Sequence, residues 1–229
     1  MILHGYLPAL LQGLASTLMV AAVSLAIACV FGLAGAVAKL YGGPVLRGAA
    51  DVYTTLIRGL PELVLMLLIF YGGQILLNAV AEAQGWGYID VPPFAAGTLT
   101  IGFVFGAYLT ETFRGAILAI PRGQVEAALA YGLPRGKIIG RIVLPQMVRH
   151  ALPGFSNNWL VMVKATALVS IIGLDDMVHR ANLAAASTRE PFTFYAAIAL
   201  LYLAVTTVSI WGLSWLERRY SLGVRKVEF

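Results

Sequence analysis

Within the apolar stretches of this 229-residue sequence, a few ionisable and amide side chains stand out by type and spacing. Glu111 and Arg114 lie three residues apart, so a helix places them on one face. Farther along, Asn157, Asn158, Lys164, Thr166 and Ser170 make a second apolar stretch distinctly polar. Charge inside a bilayer is costly and normally turns toward a bundle interior or a water-filled path. The chemistry on offer is recognition of a polar solute in transit, or pairing between helices. Bond-breaking chemistry has no support. His4, His150 and His179 are scattered without metal-ligand spacing, so no metal site is expected. Ser16, Ser24 and Ser170 lack a Gly-x-Ser-x-Gly context. No Gly-x-x-x-x-Gly-Lys-Ser/Thr phosphate loop occurs, and the single Cys29 permits neither an internal disulfide nor a cysteine metal site.

Each candidate admits two readings. Glu111 is the best electrostatic candidate for a cationic solute, unless Arg114 neutralises it. Arg114 and Lys164 could bridge helices or bind a partner chain, and a Lys164 facing the path would repel a cation. Asn157 and Asn158 could hydrogen-bond a solute or satisfy backbone groups at a helix start. Glu62 follows Pro61 in the opening turn of an apolar stretch, where its charge suits the helix dipole. Arg58, placed by the sequence just outside that stretch at the cytoplasmic boundary, could pair with Glu62 or serve the path.

The elements that must position these residues follow from composition. Only 12% of residues are charged, 59% are hydrophobic, and mean hydropathy is +0.82. A soluble domain carries roughly 25% charged residues, so a secreted or cytosolic globular enzyme is excluded. Five apolar stretches, near 14–38, 61–80, 95–118, 152–174 and 192–214, are each about the length of a bilayer span. They are continuous rather than alternating, which excludes barrel strands. The first does not read as a convincing signal peptide, since its basic residues follow it rather than precede it.

Basic residues set the orientation. Lys39, Arg47, Arg122, Arg135, Lys137, Arg141, Arg149, Arg218, Arg219, Arg225 and Lys226 fall on one side of the spans, eleven against Arg180 and Arg189 on the other. The positive-inside rule then puts the N-terminus outside and the C-terminus in the cytoplasm. It also explains the net charge of +5 without nucleic acid. The long cytoplasmic loop at 119–150 reads as two short helices joined at Gly132. The first runs from Pro121. The second follows Pro134 and is amphipathic, with Ile138, Ile139, Ile142 and Val143 on one face.

Residues within that loop carry a resemblance. Glu126-Ala127-Ala128, then Gly132, Ile142 and Leu144-Pro145 at fixed spacing, are similar to the EAA loop of ABC-importer permeases. Arg58-Gly-Leu-Pro61-Glu62, Glu111-Thr-Phe-Arg114-Gly115, Lys164-Ala-Thr166 and Leu216-Glu-Arg-Arg-Tyr220-Ser resemble the permeases of polar-amino-acid importers. Within that group the likeness runs to Q-type subunits of importers for histidine, lysine, arginine and ornithine, and next to octopine and nopaline permeases. The resemblance implies an all-α integral membrane protein with five transmembrane helices, of the type I ABC-importer (MetI-like) permease fold, in a bacterial inner membrane. It further implies a homologous M-type permease partner, an ATPase dimer docked on Glu126, Ala127, Ala128, Gly132, Ile142, Leu144 and Pro145, and a periplasmic binding protein. ATP and Mg would serve the ATPase, with no cofactor in this chain. An intramembrane hydrolase would need a catalytic constellation at depth that the residues lack. A stand-alone channel or carrier would leave the docking loop without a role.

Overall fold

A computed structural model describes residues 2–220. Arg225, Lys226 and Ser221 lie outside the described residues. After a 3₁₀ turn at Ile2–Gly5, the chain forms α1 (Leu7–Tyr41), α2 (Pro44–Gly59), α3 (Glu62–Ala83) and α4 (Pro93–Leu118). There follow α5 (Arg122–Ala130), α6 (Arg135–Ile138), a π turn at Ile139–Val143, α7 (Leu144–Ala165), a 3₁₀ segment at Thr166–Ile172, α8 (Met177–Thr188) and α9 (Pro191–Tyr220). No strand occurs among the described residues. Five helical runs are long and apolar enough to cross a membrane: 7–41, 62–83, 93–118, 135–172 and 191–220.

The bundle is organised on α4, whose core residues Phe105, Leu109 and Phe113 are buried among α1, α3 and α7. Its closest neighbour is α1. A Cβ on Gly35 would lie 2.3 Å from Thr110 Oγ1, and one on Gly106 would lie 2.6 Å from Phe31 Cβ. Gly102 likewise faces Ile27, and Gly32 faces Leu109. Gly102 and Gly106, four residues apart on α4, thus admit this chain's own first helix.

Two elements escaped the hydropathy reading. One is α8, which packs with the N-terminal halves of α1 and α9 around Leu10, Met177, Ala181 and Phe194. The other is α2, read from sequence as loop. One face of it, Ala50, Thr54 and Ile57, is buried, and the Tyr53 hydroxyl donates to the Phe103 carbonyl. Arg58 therefore ends a helix that packs on α4 rather than lying in a loop. Its guanidinium lies 5.7 Å from the centroid of the Tyr108 ring, halfway along α4.

The segment after Pro134 also differs from expectation. It is not a separate short helix. It continues through the π turn into α7, the body of the fourth span. Pro145 in the first turn of α7 has no N–H to donate and would crowd a carbonyl one turn back, a conflict the wider turn relieves. Gln146 Nε2 donates to the Ile142 carbonyl. The altered register leaves Ile138 buried but Ile139 59% exposed, so the four apolar residues do not form the single face expected.

Close helix approach gives a direct test. A Cβ on Gly13 would meet only backbone, at 2.7 Å from Met177 Cα and 2.9 Å from Asp176 O. Gly13→Ala should destabilise the protein by roughly 1–3 kcal/mol, seen as a lowered thermal midpoint in detergent. Gly48→Ala, with nothing within 4 Å, should leave the midpoint unchanged or slightly raised.

Candidate functional site

Two features share the end of the bundle where α1 and α4 terminate. The first is the turn between α5 and α6. Helix α5 stops because Gly132 adopts φ +73, a left-handed conformation that suits glycine. Gly132 N–H donates to Leu129 O at 2.9 Å and Leu133 N–H to Ala128 O at 3.1 Å, the paired bonds of a Schellman cap. Pro134 then starts α6. Gln146 Nε2 donates to Gln124 Oε1 at 2.6 Å, tying α5 to the start of α7.

Of the coupling candidates, this local fold brings Ala128 into a buried position. It leaves Glu126, Ala127, Gly132, Leu144 and Pro145 exposed, and Ile142 half-buried. Leu129 and Tyr131 are also exposed, at 49% and 87%. A cavity of about 430 Å³ opens behind α5, lined by Tyr41, Ile117, Arg122, Val125, Glu126 and Val143. The surface is small, apolar at its centre and cradled on a rigid turn, as a protein contact requires.

The second feature is a charged clamp. Lys39, in the last turn of α1, reaches Thr54 Oγ1 at 2.6 Å, Glu111 Oε1 at 2.7 Å and Asp51 Oδ1 at 2.8 Å. Its side chain is only 9% exposed. Arg114 Nε and Nη2 then hold the second oxygen of Glu111 at 2.9 and 2.7 Å. Thus α1, α2 and α4 are joined through one ammonium. Around the clamp lies a cavity of about 690 Å³, also lined by Arg47 and Arg58.

The remaining candidates separate. Asn158 Nδ2 donates to Thr112 Oγ1 at 3.1 Å and to Gly154 O at 2.8 Å, joining α7 to α4. Thr166 is buried and donates to Val163 O at 2.6 Å, and Ser170 is buried beside it in the 3₁₀ segment. Asn157 and Lys164 are exposed, and no described residue forms an ion pair with Lys164. The helix-bridging lysine is Lys39, not Lys164. Nor do Arg58 and Glu62 pair: Arg58 stacks on Tyr108, while Glu62 borders Thr100, Val104 and Leu168.

Sequence reasoning missed Lys39, Asp51 and Thr54. The available signal was periodicity: Ala50, Thr54 and Ile57 recur at helical spacing, with Asp51 and Arg58 on an adjoining face.

The geometry has close counterparts. A family model described as "Binding-protein-dependent transport system inner membrane component" matches residues 28–222. The histidine/lysine/arginine/ornithine transport system permease protein HisQ of Escherichia coli K12 is 52% identical over 226 residues, covering 99% of each chain. The octopine transport system permease protein OccQ of Rhizobium meliloti is 39% identical over 218 residues, covering 95% of this chain and 92% of its own. A chain in a crystal structure of an amino acid ABC transporter with histidines superposes with a TM-score of 0.79 at 31% identity, covering 93% and 95%.

Removing the central cation tests the clamp. Lys39→Met leaves Asp51 and Glu111 without their shared partner. The expected cost is about 2–3 kcal/mol, below the range for fully buried pairs because Asp51 is 56% exposed and Arg114 still holds Glu111. Denaturant unfolding of the detergent-solubilised complex measures it.

Proposed function

The chain belongs to the family of binding-protein-dependent transport system inner membrane components, and from that membership we propose a specific task for it. It is the permease subunit of an ATP-driven importer for basic amino acids: histidine, lysine, arginine and ornithine. The observation that carries the substrate class is 52% identity across 99% of a permease of that transport system. Opine import is the second reading, favoured by the octopine relative at 39% and weaker for that lower identity.

The chain is a transport subunit, and ATP hydrolysis belongs to a separate ATPase. Residues 1–229 act as one transmembrane permease domain in the bacterial inner membrane, beside a homologous M-type permease. A periplasmic binding protein delivers the amino acid, and two ATPase copies hydrolyse ATP with the help of Mg. The N-terminus lies outside and the C-terminus inside. Supporting this, the basic residues Lys39, Arg47, Arg122, Arg135, Lys137, Arg141, Arg149, Arg218 and Arg219 gather at the bundle end that carries α5.

The mechanism follows from the two features at that end. The exposed face of α5, with Glu126, Ala127, Gly132 and the neighbouring Leu144-Pro145, seats in the ATPase. Ile142 and Ala128 support it from behind. Movement of the ATPase is passed through α6 and the π turn into α7, and across Gln124 and Gln146. Glu111 and Arg114 serve as clamp members, since both oxygens of Glu111 are engaged within the chain. Their task is to hold α1, α2 and α4 together while α7 moves. Asn158 supports the α4–α7 contact, Thr166 and Ser170 shape the break after α7, and Asn157 and Lys164 face outward to the second permease or the path.

Gly132→Val tests the coupling. A β-branched side chain at φ +73 is strained and should distort the cap. The ATPase recovered with the tagged permease should fall at least about tenfold, the equivalent of 1.4 kcal/mol of interface stability, with substrate-stimulated hydrolysis lost in parallel. Full recovery of ATPase and of stimulated hydrolysis would overturn the coupling role.

A further inference from the structure

We propose that Glu62 is the carboxylate that receives the cationic group of the amino acid as it passes mid-membrane. The proposal rests on the importer reading above and names the residue that matches its substrate class. It joins a break between helices at depth to an acidic side chain with no partner.

The second span is preceded by a helix from which a short extended step separates it. Helix α2 ends at Gly59, Leu60 and Pro61 are extended (φ −112, ψ 148 and φ −60, ψ 134), and α3 begins at Glu62. This break lies level with the middle of α4, not with either of its ends. Glu62 borders a small cavity formed with Thr100, Ile101, Val104 and Phe105 of α4 and with Leu168. Those α4 residues occupy the middle of a helix that runs from Pro93 to Leu118. Irregular backbone at such depth is tolerated where protein buries it or where it borders a water-filled path. Interrupted helices near the midplane are a common way for transporters to present polar groups to a solute.

The charge balance then separates the acidic residues. Glu111 has both oxygens occupied, by Lys39 and Arg114, so its charge is offset before any solute arrives. Glu62 is half-buried, and no described residue gives it a hydrogen bond or ion pair. Arg58, four residues earlier, is turned to the Tyr108 ring instead. An ionisable group at membrane depth normally faces a water-filled path or pairs with an opposite charge, and this chain supplies Glu62 with no such charge among the described residues. A guanidinium, ammonium or imidazolium in transit supplies that charge.

The cavity at Glu62 is about 10 Å³, room for one water, so the solute meets the carboxylate from its exposed side. A basic residue on the second permease is the competing occupant, and assembly distinguishes the two.

The test uses the whole importer, with its second permease, ATPase and binding protein, reconstituted in vesicles. With Glu62→Gln, uptake of arginine and lysine should fall roughly tenfold, the usual worth of a charge-assisted hydrogen bond. Histidine should fall comparably at pH 5.5 and by less than about threefold at pH 8, where its imidazole is neutral. The variant complex should purify whole. Glu111→Gln, which releases Lys39 and Arg114, should instead depress uptake of every substrate alike at both pH values. Equal uptake by wild type and Glu62→Gln would overturn the inference while leaving the importer reading intact. Loss of the second permease from the variant complex would overturn it in favour of an intersubunit pair. A wild-type complex that carries none of these amino acids would overturn the importer reading, and the inference with it.

Discussion

A lysine ammonium has three N–H bonds, and in Lys39 each has an acceptor: Thr54 and Asp51 on α2 and Glu111 on α4. Burying such a group is unfavourable unless every donor is matched. The match exists only if three helices meet at one point, with α1 ending beside the middle of α2 and the last third of α4. Arg114 completes the balance by holding the other Glu111 oxygen. The same point sets the floor of the large cavity and the height of α2, and so fixes where the second span begins. Glycine packing between α1 and α4 brings the helices close. The ammonium adds a charged contact where α1 ends.

Beside this charged junction stands a second assembly, the turn between α5 and α6. The cap at Gly132 is a closed hydrogen-bonded turn, and the Gln124–Gln146 bond locks it to the start of α7. Its exposed residues are small or apolar where it faces outward and charged at its rim. A contact surface with those properties gains from desolvation at its centre and from steering at its edge. Clamp and turn share one end of the bundle but lie on different helices, α1, α2 and α4 against α5 to α7.

The sequence was informative where one local rule decides the outcome. Each of the five spans declares itself by an apolar run, and Gly132 by the left-handed turn that glycine favours. The EAA spacing located the turn. It hid the continuity of α6 into α7, because the π turn is a compromise around Pro145 that no periodicity announces. Pairing was hardest to read. Lys39 and Glu111 are 72 residues apart, and each had a nearer plausible story, a loop cation and an i,i+3 pair. Arg58 and Glu62 were read together because they are neighbours in sequence. An extended Leu60-Pro61 step turns them to different surroundings. The glycines of α4 permit close packing, and the fold shows that α1 is the helix they admit.

The helical run from Arg135 to Ile172 contains 38 residues. At 1.5 Å per residue that is a rod of about 57 Å if it were straight. A tilt of about 5° at its docked end sweeps the far end through roughly 5 Å by that length. The π turn at 139–143 and Pro153 divide the rod into stiff sections with two pivots. Small angular changes at either pivot are therefore expressed as displacements of several ångström toward Gly173, where the run ends.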